Sequence, residues 1–142
     1  PLRPEQFCLE ITETSVVRDM TRTRSFISRM RDLGCRFALD DFGTGFCSFG
    51  YLRDLDVDYL KIDGSFVRDL DNTDGKGSGL SEAVVRSITE IAHLLGKRAV
   101  GEQAETELQL LHLRALGVDY AQGYVFRRPQ PINAFFGLVE PE

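Results

Sequence analysis

Residues 36–45 read RFALDDFGTG, and this stretch decides the fold because it joins an apolar strand to a polar site. Three apolar residues at positions 37–39 lead directly into the adjacent carboxylates Asp40 and Asp41, and a glycine-containing turn follows. Short apolar runs that end near glycine are typical of buried strands. Two acids at the end of such a strand need a cationic partner, which a divalent metal with oxygen ligands would supply. An aspartate here can equally cap the next turn, so both interpretations stand at this point.

The composition is that of one globular domain and excludes several classes of protein. The chain has 142 residues, of which 42% are hydrophobic and 27% charged, with a net charge of -5. We expect no DNA partner for an acidic chain, although a phosphorylated ligand held by metal is compatible with it. The scattered Cys8, Cys35 and Cys47 lack metal-type spacing and predict reduced thiols in the cytoplasm. No apolar run is long enough to span a membrane.

The spacing of apolar residues predicts five strands that alternate with helices. Gly34, Gly96 and Gly117 follow three of the helical segments as stop signals. Because strands joined by helical crossovers are parallel, we predict an α/β fold with a parallel sheet. The polar, glycine-rich residues 66–80 are predicted to form a surface loop. The predicted strands span residues 7–12, 36–39, 57–63, 98–104 and 120–126. The predicted helices span residues 14–33, 46–55, 81–95 and 107–116.

Ionisable or amide side chains stand at the carboxyl end of every predicted strand. Ligands bind at this edge of parallel sheets and barrels, so five consecutive polar strand ends predict one site. The chain offers carboxylates and a lysine there, with no candidate Ser-His or Cys-His pair, which favours metal-assisted hydrolysis. Oxygen-only ligands favour magnesium or manganese over zinc. The residues concerned are Glu10, Asp40, Asp41, Lys61, Asp63, Glu102 and Gln122.

Five motifs of this chain resemble the second half of the EAL domain, a family of bacterial cyclic di-GMP phosphodiesterases. In order along the chain they read LEITET, ALDDFGTG, YLKIDGSFV, GEQAET and AQGYVFRRP, and they cover about residues 7–136. The resemblance implies a modified (β/α)8 TIM-like barrel, an α/β fold of which this chain supplies the C-terminal part, five consecutive strands with intervening helices. It also implies metal-dependent hydrolysis of cyclic di-GMP to linear pGpG in bacterial second-messenger signalling.

The resemblance also implies roles for individual residues. Glu10 and Asp40 are implied to be metal ligands, and Asp41 to serve the second metal of a Mg2+ or Mn2+ pair. Lys61 is implied to contact the attacking water or the phosphate. Glu102 is implied to hold or deprotonate that water. Water held by the metals would then open one phosphodiester bond.

Four further residues are implied to support the site. One anchors the loop that follows the paired aspartates, and the other three complete a polar shell. They are, in that order, Glu13, then Asp63, Glu105 and Gln122. Both glutamates of the family's fourth motif are present in GEQAET. Gln103 replaces a glycine of that motif, and this departure affects the close packing around the strand end and not the acids themselves.

Two parts of the family pattern are absent: the Glu-Ala-Leu motif that names it, and the strand with an asparagine ligand. A full barrel takes roughly 250 residues. We therefore expect residues 1–142 to be a partial EAL domain, namely its C-terminal half, within a longer protein. Additional signalling domains and any membrane anchor would then lie outside these residues. Alone, the chain is expected to be inactive and to cover its open edges by self-association or with the missing half. The alternative is a degenerate EAL-like domain that binds cyclic di-GMP or a protein partner without hydrolysis.

Overall fold

The computed structural model describes residues 3–44, 49–71 and 78–135, and within them five strands alternate with helices. Two short 3-10 helices, Pro4–Gln6 and Phe49–Asp54, add to these elements. The strands are β1 (Cys8–Thr12), β2 (Arg36–Phe42), β3 (Tyr59–Ile62), β4 (Arg98–Gly101) and β5 (Tyr120–Ala121). The helices are α1 (Glu13–Arg18), α2 (Met20–Asp32), α3 (Gly64–Asp69), α4 (Ser78–Leu94), α5 (Glu107–Ala115) and α6 (Ile132–Phe135).

All five strands are parallel and lie in the sheet in the order of the sequence, β1-β2-β3-β4-β5. The pairing of β2 with β3 is irregular at the carboxyl end, between Leu39 and Phe42. There Asp40 and Asp41 of β2 lie opposite the single residue Lys61 of β3, as in a β-bulge. The strand predicted to end before the two acids therefore includes both of them. The bulge puts two carboxylates where a regular strand would put one.

The two faces of the sheet have different surroundings because side chains alternate along each strand. Leu60 and Ile62 of β3 are fully buried in the apolar core, which also contains residues of α1, α2, α3 and α4. Tyr59 of the same strand lines a groove of about 300 Å3 on the opposite face. Cys8 and Tyr120, which also line this groove, remain exposed. The helices therefore build one core, and the other sheet face carries the side chains that converge at its carboxyl edge.

The helix predicted over residues 14–33 is divided in two by Asp19. Its φ of -150° is not helical, and its side chain accepts a hydrogen bond from the N–H of Arg22 at 3.0 Å. Asp19 thereby caps α2, which is what an aspartate at the start of a helix does best. The apolar period continues across the break, so periodicity alone predicted one long helix.

Several other elements differ from the prediction, and β3 and β4 are shorter than the strands predicted over 57–63 and 98–104. The predicted loop 66–80 contains the end of α3 and the start of α4, and its residues 72–77 lie outside the described residues. Asp63 starts α3 by accepting the N–H of Ser65 at 2.9 Å, a cap that the sequence analysis missed. The helix predicted at 46–55 is the 3-10 helix Phe49–Asp54, and residues 45–48 are not described. The last strand comprises only Tyr120–Ala121.

Within the described residues, no helix combines the length and the apolar character that crossing a membrane requires.

Candidate functional site

The site is centred on a buried lysine that three carboxylates surround. Lys61 Nζ lies 2.9 Å from Glu10 Oε1, 2.9 Å from Asp40 Oδ1 and 2.5 Å from Glu102 Oε1. The exposed fractions of the side chains are 4% for Lys61, 11% for Glu102, 21% for Asp40 and 47% for Glu10. One cation therefore faces three anions at the edge of a cavity, which leaves the cluster with a formal charge of -2 if all four groups are ionised.

The parallel strands bring these four residues together. Glu10 of β1 pairs with Ala38 of β2. Asp40 lies two residues after Ala38, so its side chain is on the same face of the sheet as that of Glu10. Lys61 lies in the adjacent β3, opposite the bulge. Glu102 directly follows β4, and its N–H donates to Ile62 of β3 at 3.2 Å. Three of the side chains come from three different strands and the fourth from the residue after β4, and all lie at the carboxyl edge of the sheet, where the sequence predicted one polar site.

Burial and pairing change the acidity of two of these groups. Burial raises the pKa of Glu102 to about 6, although Lys61 acts in the opposite direction. Burial by itself lowers the pKa of Lys61, but hydrogen bonds to Glu102 and Glu10, together with the nearby carboxylate of Asp40, outweigh it and raise that pKa overall. The lysine therefore remains charged at neutral pH. Glu102 is mostly ionised at pH 7 and exchanges its proton close to neutrality.

Asp41 lies on the rim of the site in a strained conformation. Its φ of 55° is in the left-handed region, which residues other than glycine rarely adopt. Burial and then the charges of Asp40 and Asp63 raise the pKa of its carboxyl group. One ligand oxygen each from Asp41, Asp40 and Glu102 lie within 4.8 Å of one another. This spacing allows one cation to contact all three carboxylates.

The donor set fits a hard divalent metal. Asp40 Oδ1 is buried and makes no hydrogen bond within the described residues. Lys61 Nζ lies 2.9 Å from this oxygen and forms an ion pair with it. A buried carboxylate oxygen that accepts no hydrogen bond is a suitable metal ligand. Carboxylate oxygens suit magnesium, manganese or calcium better than zinc.

The four predicted supporting residues have different surroundings. Glu13 is buried at the start of α1, and its Oε1 accepts a hydrogen bond from Tyr51 at 2.8 Å. The loop that Glu13 is predicted to anchor includes residues 45–48, which are not described, so this role stays a prediction. Asp63 caps α3, as stated above. Glu105 and Gln122 line the same cavity as the central lysine.

The cavity has a volume of about 560 Å3 and includes residues that the sequence analysis did not select. Gln103, Gly123 and Tyr124 contribute to its walls. The last two follow Gln122 directly in AQGYVFRRP, so the run of polar and aromatic residues after β5 was the signal available for them. Gln103 was noted only as a departure from the family's glycine.

Comparison with known proteins places this geometry in a family. A family model for the EAL domain matches residues 1–129. The cyclic di-GMP phosphodiesterase PdeB of Shewanella oneidensis is 42% identical over 128 residues, 90% of this chain and 14% of that protein. The cyclic di-GMP phosphodiesterase PdeF of Escherichia coli is 34% identical over 136 residues, 96% of this chain and 18% of that protein. The chain therefore spans less than a fifth of the length of these two relatives.

Solved structures agree with the sequence comparison. The PaMucR phosphodiesterase, solved as a c-di-GMP complex, superposes with a TM-score of 0.85 at 32% identity, covering 94% of this chain and 52% of that chain. Klebsiella pneumoniae BlrP1, solved as a manganese/cy-diGMP complex, gives a TM-score of 0.80 at 34% identity, covering 90% and 31%. The five parallel strands correspond to the C-terminal part of a TIM-like barrel. The chain belongs to the EAL domain family.

Proposed function

We propose that this chain carries the metal-binding and catalytic half of a phosphodiesterase that hydrolyses cyclic di-GMP to linear pGpG. The observation that carries the proposal is the cluster of Glu10, Asp40 and Glu102 around Lys61 at the carboxyl edge of a parallel sheet. Relatives named as cyclic di-GMP phosphodiesterases support the same conclusion. The three acids can hold divalent metals, and these cations together with the buried lysine suit an anionic phosphodiester substrate.

We assign Glu10 and Asp40 as ligands of one divalent metal and Asp41 as a ligand of a second, with Mg2+ or Mn2+ as the ions. The fit rests on the all-oxygen donors, on the short spacing between the carboxylates of Asp40 and Asp41, and on the buried Oδ1 of Asp40. BlrP1 has been solved with cy-diGMP and manganese and with cy-diGMP and calcium, which supports a divalent site. When bound, such ions lower the pKa of water and stabilise charge on phosphoryl oxygens.

Lys61 and Glu102 are assigned to the chemical step. The raised pKa of Lys61 keeps its ammonium group protonated, so it can donate hydrogen bonds to a phosphoryl oxygen or to the attacking water. Glu102, with a pKa of about 6, is ionised at neutral pH and can accept a proton from that water. A bond then forms between the water oxygen and phosphorus. The bond from phosphorus to the ribose 3′ oxygen breaks, and that oxygen takes up a proton.

Four residues are assigned supporting roles without taking part in the chemical step. We assign Asp63 to fix the end of β3, because it caps α3 two residues after Lys61. Glu105 and Gln122 are assigned to polar walls of the ligand cavity, which they line. Glu13 is assigned to hold the segment after β2 through its bond to Tyr51.

We also infer that the described half-barrel needs a partner. β1 and β5 are the edges of the sheet, and each edge has backbone N–H and C=O groups available for pairing. The other half of the barrel would cover them, and an isolated chain would self-associate and be inactive. Sedimentation of the isolated 142-residue chain tests this, and a monomer that hydrolyses cyclic di-GMP contradicts it.

We place the protein in the cytoplasm, since Cys8 and Cys35 are free thiols.

The decisive experiment uses the full-length polypeptide that carries this chain. It is incubated with cyclic di-GMP and Mg2+ or Mn2+, and pGpG is separated by chromatography. Binding is measured in parallel with Ca2+. We expect hydrolysis by the wild type, and in Glu102→Gln a loss of turnover of about 100-fold with ligand affinity retained.

Glu82→Gln is the matched control, because Glu82 is a half-buried glutamate on α4, away from the site, that pairs only with Arg86 among the described residues. The control is expected to keep wild-type turnover. Near-normal turnover in Glu102→Gln contradicts the role of this residue as the base. Binding of cyclic di-GMP by the wild type without any pGpG contradicts the proposed activity and favours the degenerate, ligand-binding alternative.

A further inference from the structure

The segment after β4 changes its hydrogen-bonding neighbour at Gln103. The N–H of Glu102 donates to the carbonyl of Ile62 in β3 at 3.2 Å. Two residues later, the N–H of Ala104 donates to Gln122, after β5, at 3.0 Å. Gln103 lies between these two attachments with a φ of 52°, in the left-handed region. It is therefore the pivot that turns the backbone and sets the direction in which Glu102 leaves the strand.

A left-handed glutamine is a costly choice for a pivot. Glycine adopts this conformation without a steric penalty, whereas a residue with a Cβ does not. Strained residues persist where surrounding contacts fix them, and they cluster at functional sites. Among the described residues with a side chain, only Asp41 and Gln103 have a positive φ. Both adjoin a carboxylate of the site, Asp40 in one case and Glu102 in the other.

The side chain of Gln103 has a specific partner. Its Oε1 accepts a hydrogen bond from the guanidinium of Arg68, near the end of α3. The side chain also packs against the first residue of that helix, since a Cβ on Gly64 would lie 2.5 to 2.7 Å from three of its atoms. Gln103 thus links the turn after β4 to the helix that follows β3. The same side chain contributes to the wall of the 560 Å3 cavity.

From these contacts we propose that Gln103 is a positioning residue, held by Arg68, that fixes the orientation of the Glu102 carboxylate. Glu102 and Lys61 are neighbours across β4 and β3, and Gln103 and Arg68 tie together the segments that follow these two strands. A charge-assisted bond at this place restricts the backbone turn that aims Glu102. Its consequence for turnover rests on the proposed function. Its consequence for the order of the turn does not.

The test combines Arg68→Ala, Gln103→Met and the double variant in the full-length polypeptide. Methionine preserves the length of glutamine but cannot accept the hydrogen bond. Arg68→Lys retains a cationic donor, and Arg86→Ala removes an exposed arginine from α4 as the matched control. Two readouts are used: amide hydrogen exchange of metal-free protein, and kcat with KM for cyclic di-GMP.

We expect amide exchange at residues 102–104 to accelerate about tenfold in each single variant, with β1 unchanged, because the turn loses its tie to α3. The double variant should exchange no faster than either single one, since one link is broken in all three. We expect kcat to fall about tenfold while KM changes less than about twofold, because orientation of a catalytic group is lost and binding is not. Arg68→Lys should recover part of both effects.

Additive effects of the two single variants, or unchanged exchange at 102–104, would overturn the proposal. So would changes in exchange that spread through the whole sheet, because those indicate a general loss of stability. If the wild type does not hydrolyse cyclic di-GMP, the proposed activity fails by itself. The exchange measurements, made without metal or ligand, then decide on the link alone.

Discussion

The two ends of the sheet contain the same kinds of charged residue and use them in opposite ways. At the amino end a charged residue stands directly before or close to each of three strands. Asp58 accepts the N–H of Phe37 at 2.8 Å, and Asp119 accepts the N–H of Ala99 at 2.8 Å. Lys97 donates to two carbonyl oxygens of the segment before β3, at 2.8 and 3.1 Å. Each of these charges stabilises a strand entry by bonding to the backbone.

At the carboxyl end the charges bond mainly to one another. Three carboxylates share the ammonium group of Lys61. Burial raises the pKa of Glu102 even though the hydrogen bond and the charge of Lys61 act to lower it. Asp41 and Gln103 hold left-handed backbone conformations at the same end.

This difference separates residues that stabilise the fold from residues that the fold must tolerate. A charge bonded to backbone groups contributes to the free energy of unfolding. Charges crowded together contribute little or oppose folding, and they are expected where a ligand will complete the arrangement. Substitutions at the carboxyl end should therefore alter chemistry first, and substitutions at the amino end should alter stability first.

The largest effect is expected for Asp40→Ala at the carboxyl end. Turnover of cyclic di-GMP should fall on the order of 1000-fold, because a metal ligand and its stabilisation of charge are lost. The free energy of unfolding should change little in comparison with this loss of turnover. Turnover with saturating Mg2+ and urea denaturation measure the two quantities. Full activity in this variant would contradict the assignment of Asp40 as a metal ligand. Asp54→Ala is the control, because Asp54 is an exposed aspartate of the 3-10 helix Phe49–Asp54.

Lys61→Met is the exception that sharpens the comparison, because it should affect both properties. The variant leaves Glu10, Asp40 and Glu102 without their shared cation. Breaking a buried ionic cluster from one side costs about 3 kcal/mol. Urea denaturation of metal-free protein should show this loss. Addition of Mg2+ should recover part of it by restoring positive charge, and an unchanged free energy of unfolding would contradict the central position of the lysine.

At the amino end, Asp58→Ala should destabilise without loss of chemistry. Its carboxylate accepts hydrogen bonds from the N–H of Phe37 and from Arg31, both at 2.8 Å. Removing it leaves a partly buried N–H without its acceptor, which costs about 2 kcal/mol. Asp56→Ala is the matched control, since Asp56 is 73% exposed and forms an ion pair with the same arginine. If both variants lose equal stability, the backbone bond is not the cause.

The smallest effect concerns acid sensitivity at Asp119. Burial acts to raise the pKa of its carboxyl group, but hydrogen bonds from His93 and from the N–H of Ala99 lower it overall. A lowered pKa in the folded state adds stability above the unfolded pKa of about 3.9 and loses it as pH falls through the folded value. Asp119→Asn should therefore cost about 1 kcal/mol at pH 6, and the difference from wild type should shrink towards pH 3.

Thermal or urea unfolding of both proteins across this pH range provides the measurement. A difference that stays constant with pH would contradict the predicted role of the ionised carboxylate.

The amino-acid sequence by itself determined the order of strands and helices and the polar residue at each strand end. Apolar runs, helical spacing and glycine stops are local properties, so they can be recognised without the tertiary structure. Parallel pairing followed from the crossovers, and it placed Glu10, Asp40, Lys61 and Glu102 at one edge. The five motifs were specific enough to indicate the family that the comparisons confirmed.

Only the tertiary structure decided how those residues meet. The bulge that places Asp40 and Asp41 opposite Lys61 depends on the register between two strands about twenty residues apart in sequence, which no local pattern contains. The break at Asp19 was hidden because its apolar neighbours keep the helical period. The bond between Arg68 and Gln103 joins helix α3 to a turn that is distant in the chain. Strand-end chemistry is encoded locally, whereas strain, register and pairing of charges arise only when the strands lie side by side.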